Sequence, residues 1–259
     1  MAKAAAFEDA GDPRREVAER SRRPLVVAAA IALLGFVVLA PLLIGIGLLI
    51  TSSSFSDSIM SWDGSVSRWF EAHRTAPLNT WTDIGSIMAG TGTILAVAGL
   101  SLAIMVLRRL WYDVTFLAVA LFVEFAVFLT TTAIVDRPRP TIQALDPLPV
   151  TSSFPSGHTA ASIATYAGLA FLVALHNRDT LVRIVAWTLG VLIPLWVGLS
   201  RIYRGLHHPT DVAASVVLGI GALLIAALAA RAATAAAERR RAAEGQPPPA
   251  RTERAEVPA

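Results

Sequence analysis

Residues 24–51 read PLVVAAAIALLGFVVLAPLLIGIGLLIT, a stretch without a charged side chain that is long enough to cross a bilayer as one helix. Similar apolar runs recur along the 259-residue chain, and the charged residues are concentrated between these runs and at the two ends. Apolar residues make up 54% of the sequence, in long unbroken runs rather than the short alternating patterns of a soluble domain. The pattern therefore predicts a polytopic membrane protein and argues against a soluble globular one.

Five further segments have the length and hydropathy of transmembrane helices. The predicted fold class is all-α, a bundle of six transmembrane helices within residues 24–231. The first segment is too long for a signal-peptide core and lacks a convincing cleavage site, so we expect it to be retained. The connection 52–82 is rich in tryptophan, which suits a segment along the membrane interface. The six predicted spans are residues 24–51, 83–107, 114–135, 159–175, 184–199 and 212–230.

The distribution of arginine predicts the orientation of these spans. Most arginines lie in the terminal segments and in the loops 108–113 and 176–183, which share one side of a six-span topology. The positive-inside rule therefore places both termini in the cytoplasm, in a multi-pass protein of the cell membrane. Residues 1–23 form a predicted cytoplasmic tail, and residues 232–259 form a second tail that we expect to be disordered.

The arginines on the opposite, non-cytoplasmic side need another explanation. Four of these six residues lie in two short loops, 136–154 and 200–211, where they work against the topological bias. Because something other than topology must retain them, anion binding is the natural candidate.

The composition also excludes cysteine-based sites and argues against a nucleic-acid partner. The chain has no cysteine, which excludes disulfides, thiolate catalysis and cysteine-rich metal sites. Its formal net charge of +3 comes from basic residues that mostly flank the apolar spans, so we expect no nucleic-acid partner. The expected partners are membrane lipids, and the sequence carries no signal for an oligomeric state.

The first of the two arginine-bearing loops opens with Asp136-Arg137-Pro138-Arg139-Pro140, directly after the third predicted span. Alternating prolines keep the two arginines in a stiff, extended segment. A guanidinium can bind a phosphate through two parallel hydrogen bonds, which lysine cannot do. Taken alone, the motif is also compatible with a rigid solvated loop at a helix exit.

A second motif, Phe154-Pro155-Ser156-Gly157-His158, opens the fourth predicted span. The start of a helix presents free backbone N–H groups at the positive end of the helix dipole, which makes it an anion site. His158 would lie close enough to exchange a proton with a bound phosphate ester. The alternative is an ordinary capped helix with an interfacial histidine.

The third motif is SRIYRGLHHPTD, residues 200–211, between the fifth and sixth predicted spans. Pro209 is a natural first residue of a helix, with His207 just before it and Asp211 four residues further on. A carboxylate there can accept the Nδ1 proton of His207 and leave Nε2 free to attack phosphorus. The alternative is a satisfied interfacial His–Asp pair, and for His208 we favour such a structural role.

Together the three motifs resemble the type 2 phosphatidic acid phosphatase superfamily, which includes bacterial lipid phosphatases and the vanadium-dependent haloperoxidases. The motifs of that family run Lys-x6-Arg-Pro, Pro-Ser-Gly-His and Ser-Arg-x5-His-x3-Asp. The resemblance covers residues 83–230, and the second and third motifs match at every defining position. The first motif departs from the family, because the expected lysine is replaced by Thr132.

The resemblance implies a phosphate clamp with no metal or other cofactor. Arg139, Arg201, Ser156 and the backbone of Gly157 would hold the phosphoryl oxygens, and Arg137 would assist in place of the missing lysine. Phosphoryl transfer requires mainly positioning and charge neutralisation, so such a clamp would carry most of the rate.

The resemblance and the chemistry together imply a phosphohistidine mechanism. His207, oriented by Asp211, would attack phosphorus, and His158 would protonate the leaving oxygen and then activate water. The expected substrate is a lipid phosphate or pyrophosphate of the phosphatidic acid, phosphatidylglycerophosphate or polyprenyl type. The active site would lie on the non-cytoplasmic face, where all three motifs are predicted.

Two other functional classes are kept as alternatives. Glu124 in the third predicted span favours a transporter or channel, because intramembrane carboxylates are costly and often functional. Thr132 favours a relative that binds lipid headgroups and hydrolyses them weakly or not at all.

Overall fold

The computed structural model describes residues 13–52, 54 and 56–246, and every regular element in that part of the chain is a helix. This confirms the predicted all-α class. Residues 1–12 and 247–259, which belong to the two predicted tails, lie outside the described residues. In chain order the helices are α1 (Pro13–Ser52), α2 (Ser56–Ala72), α3 (Ala76–Met88), α4 (Thr91–Leu107), α5 (Trp111–Ile134), α6 (Gly157–His176), α7 (Thr180–Tyr203) and α8 (Pro209–Ala243).

All six predicted spans are helical, but the second one is broken. Helices α1, α5, α6, α7 and α8 are each long and apolar enough to cross a membrane, whereas α3 and α4 reach that length only together. The two are bent by 46° where Ala89 and Gly90 leave the helical conformation, Gly90 with ψ of 147°. The prediction of one continuous helix over 83–107 was wrong, because a hydropathy pattern does not detect a break of two residues. The orientation of the termini stays a prediction.

The last helix extends well beyond the predicted membrane domain. Helix α8 continues to Ala243, so the first part of the predicted disordered tail is helical. The residues from Ala226 onward are dominated by alanine, which has the highest intrinsic helix propensity. Arg240 and Arg241 lie in the final turn, where positive charge favours the helix dipole.

The centre of the bundle is formed by α8 packing between α1 and α5. Leu39 and Leu43 of α1, Val127 of α5 and Leu218 of α8 are buried in one apolar cluster. Helix α6 packs against α7 and α8 and completes the other side. Many leucines and valines on the outer faces are exposed, as is expected where the surroundings are hydrocarbon.

Helix α2 is amphipathic and closes one end of the bundle. Trp62 and Trp69 are exposed on one face, while Asp63 and Ser67 are buried on the other. The exposed tryptophans suit the predicted position along the membrane interface, which itself stays a prediction. The buried Asp63 brings a carboxylate from α2 into the polar end of the bundle.

Helices α6 and α8 approach each other closely at a glycine. A Cβ atom on Gly219 of α8 would lie 2.6 Å from Cβ of Ile163, which starts a π-helical turn, Ile163–Ala167, inside α6. Small residues allow such approaches between membrane helices, and here the neighbouring atom belongs to a stiff β-branched side chain.

We expect Gly219→Ala to lower the thermal stability of the detergent-solubilised protein, because the added methyl group forces α6 and α8 apart. Overpacking of this kind costs about 1–3 kcal/mol. Gly99→Ala is the matched control, since a Cβ there meets nothing within 4 Å. Equal melting temperatures for the two variants would contradict the close approach.

Candidate active site

The three sequence motifs meet at one cavity of about 600 Å³. Arg139 comes from the loop after α5, Gly157 and His158 from the start of α6, and Arg201 and His207 from the end of α7 and the turn that follows. These five residues line the same wall, although they are separated by up to 68 positions in the chain. The rest of the lining is largely apolar and comes mainly from α4, from α5 and from the loop before α6.

The turn between α7 and α8 positions His207. Gly205 has φ of +78°, a conformation that glycine adopts without strain, and it lets the chain reverse directly after α7. Pro209 then starts α8, and the carboxylate of Asp211 accepts a hydrogen bond from the backbone N–H of His208 at 2.8 Å. The turn is therefore fixed at both of its ends.

His207 is buried, and its Nδ1 atom lies 2.7 Å from the backbone oxygen of Ser153. The nearest carboxylate oxygen of Asp211 is 3.7 Å from the same atom. The Nδ1–H group therefore donates to a carbonyl, which leaves Nε2 unprotonated. Burial lowers the pKa of His207, so the neutral form is favoured at pH 7. The expected tautomer is thus held by Ser153, and the carboxylate acts as a nearby charge rather than as the direct acceptor.

Two arginines on the cavity wall are not hydrogen-bonded to a carboxylate within the described part of the chain. Arg139 donates to the backbone oxygen of Leu206 at 2.7 Å and to that of Ser152 at 3.2 Å, and it pairs with no carboxylate among the described residues. Arg201 donates to Ser86 Oγ at 2.5 Å, and its nearest carboxylate, that of Asp146, is 4.0 Å away. Carbonyl and hydroxyl groups orient the two guanidinium groups, and Asp146 neutralises Arg201 only weakly across 4.0 Å, which leaves the site ready for an anion.

The other motif arginine of α7 is neutralised away from the cavity. Arg204 donates from Nε to Asp146 Oδ2 at 2.7 Å and lies 3.2 Å from Asp83. The hydrogen bonds from Arg204 hold the pKa of Asp146 below its usual range, so this carboxylate stays ionised. Arg204 therefore serves to anchor the loop before α6 rather than to bind a ligand.

Arg137 was predicted to assist the phosphate clamp, and the structure places it elsewhere. Its side chain is buried, with Nη2 at 2.5 Å from Asp63 Oδ2 and Nη1 donating to Asp211 Oδ1 and, at 2.8 Å, to Thr210 Oγ1. Two carboxylates already neutralise the guanidinium, and it does not line the cavity. Arg137 therefore fixes Asp211 from outside the cavity, and its positive charge compensates the two buried carboxylates.

The start of α6 brings His158 to the cavity. No described residue forms a hydrogen bond with its imidazole, and Gly157 lies beside it on the wall. Ser156 is buried one residue earlier, with Oγ at 3.0 Å from Thr159 Oγ1, and it is not part of the lining. His208 is anchored to the backbone oxygen of Pro138 at 3.2 Å, in the structural role that was favoured for it.

Comparison with known proteins agrees with this geometry. A model of the PAP2 superfamily matches residues 110–235, which include all three motifs. Residues 110–235 of this chain belong to the PAP2 superfamily. A solved PAP2-type phosphatidylglycerolphosphate phosphatase from Bacillus subtilis shares the fold, with a TM-score of 0.62 at 20% identity over 79% of this chain and 94% of that one.

Two curated relatives of this chain also come from Bacillus subtilis. Undecaprenyl-diphosphatase BcrC of Bacillus subtilis is 36% identical over 93 residues, which is 34% of this chain and 43% of that protein. Phosphatidylglycerophosphatase B of Bacillus subtilis is 36% identical over 73 residues, 26% of this chain and 34% of that one. The similarity thus spans less than half of either relative.

Thr132, which stands where the PAP2 family has a lysine, makes a structural hydrogen bond instead. Thr132 Oγ1 donates to the backbone oxygen of Phe154 at 3.0 Å and ties the end of α5 to the loop before α6. The residue does not line the cavity. The site therefore takes its positive charge from Arg139 and Arg201.

Two contributors to the PAP2 site were missed by the sequence analysis. Ser153 acts through its backbone oxygen on His207 and through its hydroxyl, which donates to Asp211 at 2.5 Å. Asp63 lies in α2, outside all three motifs, and pairs with Arg137. A carbonyl has no sequence signature, whereas an aspartate among the tryptophans of α2 was a visible signal.

We expect Arg137→Met to destabilise the protein strongly, because it leaves the buried carboxylates of Asp63 and Asp211 without a counter-charge. Breaking a buried ion pair by removing one partner costs about 3–5 kcal/mol. The measurement is the melting temperature in detergent, with the exposed Arg183→Met as the matched control. A variant at position 137 that melts together with this control would show that the buried pairs contribute little.

Proposed function

We propose that the protein is an integral membrane phosphatase acting on a lipid phosphate or pyrophosphate. The observation that supports this most directly is the cavity at which two arginines without a hydrogen-bonded carboxylate meet two histidines. The similarity to an undecaprenyl-diphosphatase and to a phosphatidylglycerophosphatase supports the same class of reaction.

In the proposed mechanism Arg139 and Arg201 bind the phosphoryl oxygens, with a further donor from the Gly157 backbone. Ser156, which was also predicted to bind the phosphate, is buried beside Thr159 and does not line the cavity, so it has no direct role here. Each arginine fork can bind two phosphoryl oxygens through parallel hydrogen bonds, and the start of α6 adds the positive end of a helix dipole. Because charge builds up on these oxygens during phosphoryl transfer, such donors stabilise the transition state. Arginine supplies the positive charge, so the proposal requires no metal.

The covalent step uses the two histidines in opposite roles. Nε2 of His207 attacks phosphorus, and the N–P bond forms while the P–O bond to the lipid breaks. His158 enters as the imidazolium and gives its proton to the leaving oxygen. Neutral His158 then takes a proton from water as the water attacks the phosphohistidine, which releases phosphate and restores both histidines. Asp211 favours the positive charge that develops on His207.

The proposed location is the cell membrane, with the site on the non-cytoplasmic face and both termini in the cytoplasm. The support is the excess of arginine in the terminal segments and in the loops 108–113 and 176–183. The substrate would reach the site laterally, with its headgroup at the arginines and its apolar tail along the lining from α4 and α5.

We expect His207→Ala to abolish phosphate release from phosphatidic acid, phosphatidylglycerophosphate and polyprenyl phosphates, by at least about a thousandfold. EDTA should leave the wild-type rate unchanged, because no step depends on a bound metal. Released phosphate is measured with purified protein in mixed micelles, and His73→Ala is the control at an exposed histidine. Inhibition by EDTA that magnesium reverses would count against the proposal.

The absence of cysteine allows a direct test of the orientation. We expect Val150→Cys, in the loop before α6, to react with a membrane-impermeant maleimide in intact cells. Asn177→Cys, in the loop before α7, should react only after the cells are permeabilised. Both positions are exposed, so the difference reports sidedness. The reverse labelling pattern would place the active site in the cytoplasm.

Thr132 keeps a second candidate open, a protein that binds phosphate headgroups without hydrolysing them. Without the family lysine, the site has one fewer positive charge to stabilise the transition state. Binding of orthovanadate to a purified protein that releases no phosphate from any of the lipids would favour this candidate over the phosphatase.

A further inference from the structure

Glu124 is a buried acid that the proposed mechanism does not use. It lies in the middle of α5, is 4% exposed, and lines the same cavity as His158 and His207. No described residue forms a hydrogen bond or an ion pair with its carboxyl group. Polar groups at membrane depth are normally paired within the protein, so an unpaired one on a cavity wall indicates a ligand contact.

The rise along α5 gives the distance of Glu124 from the end of the cavity that carries Arg139 and Arg201. Phe128 lies one turn closer to the arginine loop, and its ring packs against Gly157, where a Cβ atom would be 2.9 Å from Phe128 Cε2. Four residues of an α-helix rise about 6 Å. Glu124 therefore lies about 6 Å deeper along α5 than the level at which α6 begins.

The surroundings of Glu124 favour a neutral, hydrogen-bonding acid. The neighbouring lining is formed by Leu121, Phe125, Ile94 and Leu95, and the polar lining residues lie at the arginine end or, as Thr91, at the start of α4. An unpaired carboxylate in such apolar surroundings is far more costly than a carboxylic acid. A carboxylic acid carries one O–H donor, which needs an acceptor on the ligand.

Lipid phosphates differ in the hydrogen-bond acceptors that they would place near Glu124. A polyprenyl phosphate has only hydrocarbon below its phosphate, whereas a diacylglycerol phosphate carries two ester carbonyls a few bonds below phosphorus. We propose that Glu124 is a specificity residue that donates a hydrogen bond to an acyl carbonyl of a diacylglycerol phosphate bound with its phosphate at Arg139 and Arg201. This inference rests on the proposed phosphatase function and narrows its substrate to glycerophospholipids.

The test compares two substrates that differ only in the carbonyls, dioleoyl phosphatidic acid and its dialkyl ether analogue with the same chains. We expect the wild-type protein to have a kcat/KM about tenfold higher for the ester lipid, because the ether offers a much weaker acceptor. Glu124→Leu should lose this preference by lowering kcat/KM for the ester lipid alone. The rate on the ether analogue should change by less than about twofold.

Two further variants separate hydrogen bonding from other roles of the residue. Glu124→Gln keeps an N–H donor and should retain most of the preference, although it cannot transfer a proton or carry a charge. Phe125→Leu changes the volume of the neighbouring lining without changing its polarity, and it should lower both rates in parallel or leave both unchanged.

Several outcomes would overturn the inference while leaving the phosphatase proposal intact. The first is a wild-type protein that hydrolyses the two lipids equally well or prefers a polyprenyl phosphate to both. The second is a pair of Leu and Gln variants that lose activity on the ester and ether lipids alike, which would assign Glu124 to proton transfer. A wild-type protein that hydrolyses none of the lipids would instead overturn the phosphatase proposal, and this inference with it.

Discussion

Arg137 stands between two buried carboxylates that belong to helices far apart in the sequence, Asp63 of α2 and Asp211 of α8. Burying three charges is unfavourable unless each one is paired and its remaining polar atoms are hydrogen-bonded. Asp63 meets this condition through the backbone N–H and the hydroxyl of Thr210, and Asp211 through Ser153 and the backbone of its own helix turn. The first turn of α8 is thereby locked to α2 and to the arginine loop, and His207 precedes that turn by two residues.

The same electrostatic rule divides the motif arginines into two kinds. Arg137 and Arg204 are each paired with two carboxylates, so their charges are used to hold the protein together. Arg139 and Arg201 are oriented mainly by carbonyls and hydroxyls, so their charges remain for a ligand. An anion site built in this way costs little rearrangement on binding, because the guanidinium groups are already fixed by neutral partners.

Much of the fold and part of the site could be predicted from the sequence, because they depend on local signals. Hydropathy located the six spans, and the spacing of the motifs indicated the residues that now line the cavity. The role of Arg137 could not be predicted, since it depends on Asp63, 74 positions earlier, which no motif includes. The acceptor for His207 was equally hidden, because any residue can offer a backbone carbonyl. The break at Gly90 does not alter hydropathy, so only the backbone geometry shows it.

The cavity has a cationic end at Arg139 and Arg201 and an apolar part lined by α4 and α5. At one end, fixed cations favour a phosphate, and a neutral headgroup would leave them unpaired. Below it the lining from α4 and α5 is apolar, and hydrophobic burial distinguishes poorly between hydrocarbon tails of similar size because it is not directional. In the proposed phosphatase, discrimination among phosphorylated lipids would therefore come from a polar group below the phosphate, where an unmet hydrogen bond is costly. Glu124 is the one acidic residue that lines this cavity within the part of the chain that the structure describes.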